Sequence, residues 1–346
     1  MKNIIYKLLK FWIRTSLHLY YGKIKLKGLE NVPIDKPVLF LPNHQNALLD
    51  PLLIAVDCNR KPYFLTRSDV FKTSIFKSLF EVVRMIPIYR IRDGRDSLKY
   101  NDAVFEKCAK LLVHNESLLM FPEANHNLQR RVRPLSKGFT RILFRALELQ
   151  ADLDIQLVPV GLNYLKGEGF PDKVAIYFGK PIALQDVLIE KNERESIENI
   201  KQNVSQALQS LTTHIAEDNY EETIEKLSAN NADFLNPIQT NKLNSNLNSA
   251  QGSKQFSGGK SLFGKLLFPL FVLVNLPVIL LWKLWLKPKV WEPEFTATLR
   301  FALSLIVFPI YYLLLFAVLS FSFGIEVSLS AVLALFVFNW AYVKLS

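Results

Sequence analysis

The sequence predicts an α/β domain, a mixed sheet flanked by helices, followed by C-terminal transmembrane helices. Short apolar runs bounded by turn residues recur across residues 24–183, the pattern of buried strands. Helical stretches separate these runs, and strands alternating with helices give a largely parallel or mixed sheet covered on both faces. Mean hydropathy is +0.14 over 346 residues even though 21% of them are charged. The apolar excess lies beyond residue 260.

Residues 1–20 place Lys7, Lys10 and Arg14 on one helical face and Ile5, Leu8, Leu9 and Trp12 largely on another. This reads as an amphipathic membrane-associated helix over 1–23; the competing reading is a surface helix docked on the domain. Strands are expected at 37–41, 63–66, 117–121, 157–161 and 174–178, with helices at 50–56 and 103–113 among those between them. In 192–228, Ile197, Ile200, Val204, Leu208, Leu211 and Ile215 recur at three- and four-residue steps. That stripe predicts a long helix or helix pair packed on the sheet, closing a domain over 24–228. Residues 229–260 are rich in Asn, Ser, Gln and Gly, the composition of a flexible linker.

Residues 261–346 read as a membrane domain. An uncharged run of 23 residues at 301–323 is long enough to cross about 30 Å of hydrocarbon, and a second of 17 residues at 327–343 is at the short end. Only Gly324, Ile325 and Glu326 join the two runs, so they form a hairpin. A third segment, 266–282, is broken by Pro269 and Pro277. Lys260 and Lys265 precede it, Lys283, Lys287, Lys289 and Arg300 follow it, and Lys344 ends the hairpin. Keeping all three clusters on the cytoplasmic side favours a re-entrant 266–282 over a spanning one. The same rule places the α/β domain on the cytoplasmic face of a cell inner membrane. Trp282, Trp285, Trp291 and Trp340 suit an interfacial belt.

Two cysteines, Cys58 and Cys108, exclude a disulfide scaffold and a four-cysteine zinc site. A net charge of +11 points to an anionic membrane surface or a phosphorylated substrate. Nucleic acid is disfavoured, because no compact basic run carries interleaved aromatics.

Four segments carry chemistry. In the first, a buried strand runs into Asn43-His44-Gln45-Asn46-Ala47-Leu48-Leu49-Asp50-Pro51. Histidine suits acid–base work, and a carboxylate within reach would fix its tautomer. A straight helix would put His44 and Asp50 on different faces, so a bend is required, and Pro51 gives a reason for one. The alternative is that Asp50 only caps a helix. The second segment is Met85-Ile-Pro-Ile-Tyr-Arg90. The third is Phe121-Pro-Glu123-Ala124-Asn125-His126, with Arg130, Arg131 and Arg133 following; an arginine cluster suits a phosphate, or else forms a solvated loop. The fourth is Val158-Pro159-Val160.

Taken in order, these segments resemble the glycerolipid acyltransferase superfamily, the PlsC-type lysophosphatidate and glycerol-3-phosphate acyltransferases. Five residues between His44 and Asp50, and the C-terminal apolar segments, are similar to the yeast-type glycerol-3-phosphate acyltransferase branch. The sequence departs from the family pattern at Ala124, where the family has Gly, and at His126, where many members have Arg. The resemblance implies a glycerol-3-phosphate acyltransferase-like fold over roughly residues 25–185. It implies an O-acyltransferase of phospholipid synthesis, with His44 as general base and Asp50 orienting it. Asn43, Arg90 and Glu123 would bind substrate, with His126, Arg130, Arg131 or Arg133 at the phosphate. The donor would be acyl-CoA or acyl carrier protein, the acceptor glycerol 3-phosphate or lysophosphatidate, and no metal or other cofactor is expected. The alternatives are a non-phosphate lyso-lipid acceptor and a non-catalytic membrane lipid-binding protein.

Overall fold

The computed structural model describes residues 2–68, 77–89, 99–248 and 262–346. The chain opens with α1 (Lys2–Tyr20), β1 (Tyr21–Lys27), β2 (Val38–Pro42), α2 (Leu49–Asp57), β3 (Tyr63–Arg67), α3 (Lys77–Val82) and β4 (Met85–Ile88). It continues with α4 (Tyr100–Val113), β5 (Ser117–Leu119), α5 (Gly138–Leu149), β6 (Gln156–Tyr164), β7 (Asp172–Phe178), β8 (Ile182–Ala183) and α6 (Leu184–Val187). Next come α7 (Glu193–Leu211), α8 (Tyr220–Ala229) and α9 (Pro237–Asn248). The apolar part holds α10 (Leu262–Val274), α11 (Leu276–Leu280), α12 (Thr296–Phe323) and α13 (Ile325–Leu345).

The eight strands form one sheet in the order β1-β7-β6-β2-β5-β3-β4, with β8 beside β6. β6 runs antiparallel to β7 and β8, and the other neighbours are parallel. The carboxyl ends of β2, β3, β4, β5 and β6 therefore share one edge. Side chains alternate between two cores: Leu39 and Leu41 of β2 pack with α4, α5 and α7, while Val38 and Phe40 pack with α1 and α2. That two-sided burial is why these strands read as continuous apolar runs. Gly161 in β6 is required by close approach, since a Cβ there would lie 2.1 Å from the carbonyl oxygen of Leu211 at the end of α7.

Two boundaries are corrected. The helix expected over 1–23 ends at Tyr20, because Lys23, Lys25 and Lys27 alternate with Ile24 and Leu26 and make β1, an edge strand guarded by lysines. The linker expected over 229–260 does not begin at 229. Residues up to 248 include α9, and Leu243 of α9 joins Ile215 and Leu227 in a small core of its own. Composition missed this because a few well-spaced apolar residues suffice when a packed surface is already present. The rest of that segment, 249–260, lies outside the described residues.

Helix α1 is docked, with Lys10 and Arg14 turned toward α2. Lys10 Nζ donates to the carbonyl of Cys58 (3.0 Å), and Arg14 Nε donates to Asp57 (2.6 Å), both at the carboxyl end of α2, where cations are favoured. Ile4, Leu8, Phe11 and Trp12 face outward, each at least 47% exposed.

α12 and α13 are joined at Gly324 and are the two helices, among the described residues, long and apolar enough to cross a membrane. Both hairpin ends lie against the sheet domain: Arg300 donates to Glu168 O, and Lys344 donates to the carbonyls of His18 and Tyr21. The segments Gly264–Val274 and Leu276–Lys289 meet at an 88° bend. Asn275 at that bend exchanges hydrogen bonds with Asn339 of α13, and Tyr311 of α12 satisfies the Val274 carbonyl freed there. Gly264 approaches Ser346 at the end of α13, and Glu292, beyond the bend, reaches His126 of the domain.

Candidate active site

β2 delivers Asn43 and His44 to the shared carboxyl edge, and a turn over 43–48 leads into α2. That turn supplies the bend that the spacing required. His44 Nδ1 lies 2.7 Å from Asp50 Oδ2, which also accepts the backbone N–H groups of Gln45 (2.8 Å) and Asn46 (2.7 Å). Asp50 Oδ1 accepts the Tyr164 hydroxyl at 2.6 Å. Asp50 is fully buried and paired on both oxygens. It reaches back to the loop before its helix and is no helix cap: the cap position is Leu48. With Nδ1 carrying the proton toward a carboxylate, Nε2 of His44 presents its lone pair. Phe121 stacks on the imidazole at 3.7 Å. Burial, then the Asp50 charge, pushes the Tyr164 phenol well above its ordinary range, so it stays a donor.

The turn after β5 brings the third segment alongside. Asn127 N–H donates to the His44 carbonyl (3.0 Å), and the His126 ring lies edge-on to His44 with centroids 5.4 Å apart. Burial foremost, then the neighbouring His44, lowers His126 to about 4, so it is neutral near pH 7. Ala124 sits at φ 64°, the left-handed region where glycine is at home and alanine costs about 1 kcal/mol. Arg133 grips Glu123 through Oε2 with Nε at 3.0 Å and Nη2 at 2.7 Å, and Nη2 also bonds the Asn125 carbonyl. Glu123 Oε1 is buried without a hydrogen-bond partner among the described residues. Burial raises this carboxyl, with Arg133 opposing.

Three expected substrate contacts are corrected. Asn43 locks β2 to β6, donating to Leu162 O (3.1 Å) and accepting Leu162 N–H (2.7 Å). Arg130 is half-buried, donates to the carbonyls of Tyr164 and Leu165 and stacks on Phe234. Arg131 turns outward to Glu217 at 2.8 Å. Their donors serve the fold. Arg90 lies outside the described residues, although the strand leading to it, β4, ends at the same edge.

Some site residues carry no local signal. Tyr164 could have been found from its place at the end of β6, next to β2. Glu292 and Phe295 could not, because they come from the stretch before α12. Glu292 Oε2 lies 3.4 Å from His126 Nε2, and Phe295 packs edge-on against the same ring at 5.0 Å. His126, Glu292 and Glu294 offer ligand atoms all within 4.8 Å of one another, a donor set that could hold a divalent ion.

Residues 23–163 match the family described as Acyltransferase. The chain is 25% identical over 114 residues to glycerol-3-phosphate O-acyltransferase 1 of Saccharomyces cerevisiae, covering 32% of this chain and 15% of that protein. It is 27% identical over 152 residues to a 1-acyl-sn-glycerol-3-phosphate acyltransferase of Chlamydomonas reinhardtii, covering 44% of this chain and 41% of that protein. The matched stretches thus span less than half of either relative. A solved structure, the 1-acyl-sn-glycerophosphate acyltransferase PlsC of Thermotoga maritima, aligns over 62% of this chain and 83% of its own, at 16% identity and a TM-score of 0.42.

Proposed function

The chain carries an acyltransferase-family domain over residues 23–163, and from that premise we propose that it is a membrane-bound enzyme acylating glycerol 3-phosphate or lysophosphatidate from an acyl thioester. The observation that carries this reading is the His44–Asp50 pair, 2.7 Å apart at the carboxyl edge of the sheet, with Nε2 left to act. His44 Nε2 takes the acceptor's hydroxyl proton while that oxygen attacks the thioester carbonyl. The tetrahedral intermediate collapses, the C–S bond breaks, and the imidazolium returns the proton to the departing thiolate. Asp50 holds the tautomer and stabilises the imidazolium, and Tyr164 and two backbone amides hold Asp50. Glu123, oriented by Arg133, accepts an acceptor hydroxyl through Oε1. Arg90 takes the phosphate. The hairpin α12–α13 anchors the enzyme, with the domain on the cytoplasmic face of the inner membrane.

A second reading, a non-phosphate lyso-lipid acceptor, is favoured by Glu292 and Glu294 beside His126, carboxylates suited to pair with an amine on the acceptor's head. Free thiol release from palmitoyl-CoA or an acyl carrier protein thioester tests both readings. Release requiring glycerol 3-phosphate or lysophosphatidate supports the first; release only with an amine-bearing lyso-lipid supports the second. Cys58 and Cys108 are buried, so native protein adds little thiol background. His44→Ala should lower turnover by about a thousandfold; near-wild-type turnover in that variant excludes His44 as the base.

A further inference from the structure

The acyltransferase match ends at residue 163, yet the wall beside His126 comes from residues 291–300. Four contacts fix this stretch to the catalytic edge. Glu292 Oε2 meets His126 Nε2 at 3.4 Å. Phe295 packs on the same imidazole at 5.0 Å, with Trp291 against Phe295 at 4.6 Å. Thr298 Oγ1 donates to the carbonyl of Asn46 (3.3 Å), whose own N–H holds Asp50. Arg300 donates to Glu168 O in the loop between β6 and β7. His126 is only 11% exposed and sits edge-on to the catalytic imidazole.

We infer that the stretch before α12 completes the acceptor side of the active site, and that Glu292 is a positioning residue acting through His126. A neutral imidazole offers one N–H and one lone pair, and the partner of one nitrogen decides what the other presents. Glu292 Oε2, 3.4 Å from Nε2, favours the tautomer that carries its proton there, which leaves Nδ1 as an acceptor for a hydroxyl or other donor on the polar part of the acceptor. At His126 the wall adds the carboxylates of Glu292 and Glu294 to the rings of Phe295 and Trp291, and those carboxylates suit the polar head of an acceptor. The membrane hairpin then does more than anchor: it holds the wall in place.

This inference rests on the acyltransferase reading, and full-length protein in detergent tests it by thiol release with glycerol 3-phosphate and palmitoyl-CoA varied in turn. Glu292→Ala should raise the acceptor KM about tenfold, the scale of one charge-assisted hydrogen bond, and leave the thioester KM unchanged. Glu292→Gln, which can still accept the proton, should recover most of the loss. In a His126→Ala background Glu292→Ala should add nothing, since its partner is gone. Equal losses for Ala and Gln, additive losses with His126→Ala, or a change in thioester KM would each overturn the role. If His126→Ala does not fold, the Ala-against-Gln comparison decides alone. If wild-type protein shows no His44-dependent release, the acyltransferase reading falls and this inference with it; if release holds and Glu292 is silent, only the inference falls.

Discussion

Asp50 is the residue on which the site turns. Four donors converge on its two oxygens, and one of them is His44, the proposed base. Tyr164→Phe removes one donor and leaves the rest, so kcat should fall about tenfold with acceptor KM little changed, measured by thiol release. His126 gives a pH signature. Its folded value near 4 lies below the ordinary 6.5, so between those values the unfolded chain binds more protons. Stability from this group is full above about 6.5 and is lost as pH falls toward 4. Thermal unfolding from pH 7 to pH 4 should show a steeper acid loss for wild type than for His126→Gln; parallel curves would contradict it. The His44 and Asp50 pair was legible because both lie in one short segment at a strand's end. Asn43, Arg130 and Arg131 were misread because the sequence shows a donor but not the carbonyl or carboxylate it is spent on.

Among elements, α1 is the one whose packing the sequence least disclosed. The amphipathic pattern was plain, and of the two readings, membrane-associated or docked on the domain, the structure shows the docking, with Lys10 and Arg14 on α2. An apolar face pointing outward is poor design for water and suits a lipid surface, with the exposed stripes of α12 and α13 on the same molecule. Asp57 is the anchor, 1% exposed beneath Arg14 and His18. Asp57→Ala should loosen α1 by about 1–2 kcal/mol, seen as faster limited proteolysis near the α1–β1 junction, with the rest of the domain unchanged. Strands β2, β3, β6 and β7 were visible as apolar runs. β1 was missed because an edge strand with alternating lysines looks like a continuation of the basic helix.

The whole molecule joins a sheet domain to a hairpin whose outer surface is apolar, Phe321 at 96% exposure being the extreme. Such a surface is stable only in lipid or detergent. The protein should resist alkaline carbonate extraction from membranes and come out with a mild detergent; release by carbonate would refute a spanning hairpin. The hairpin ends and the wall at Glu292 meet the domain on one side. The carboxyl edge of the sheet and the two apolar helices thus form one construction, and in the proposed reaction a lipid product would leave beside the bilayer.

Local order of residues determined the α/β class, the positions of most strands, the paired apolar helices and the proximity of His44 to Asp50, because each of these depends on spacing of 2, 3.6 or a few residues along the chain. Tertiary structure decided which polar groups are free and which are spent. It locked Asn43 and Arg130 into the backbone, brought Tyr164 to Asp50 across 114 positions, and set Glu292 against His126 from beyond the family-matched stretch. Those pairings are made by strand order and helix docking, and hydrogen-bond partners distant in sequence leave no period to read.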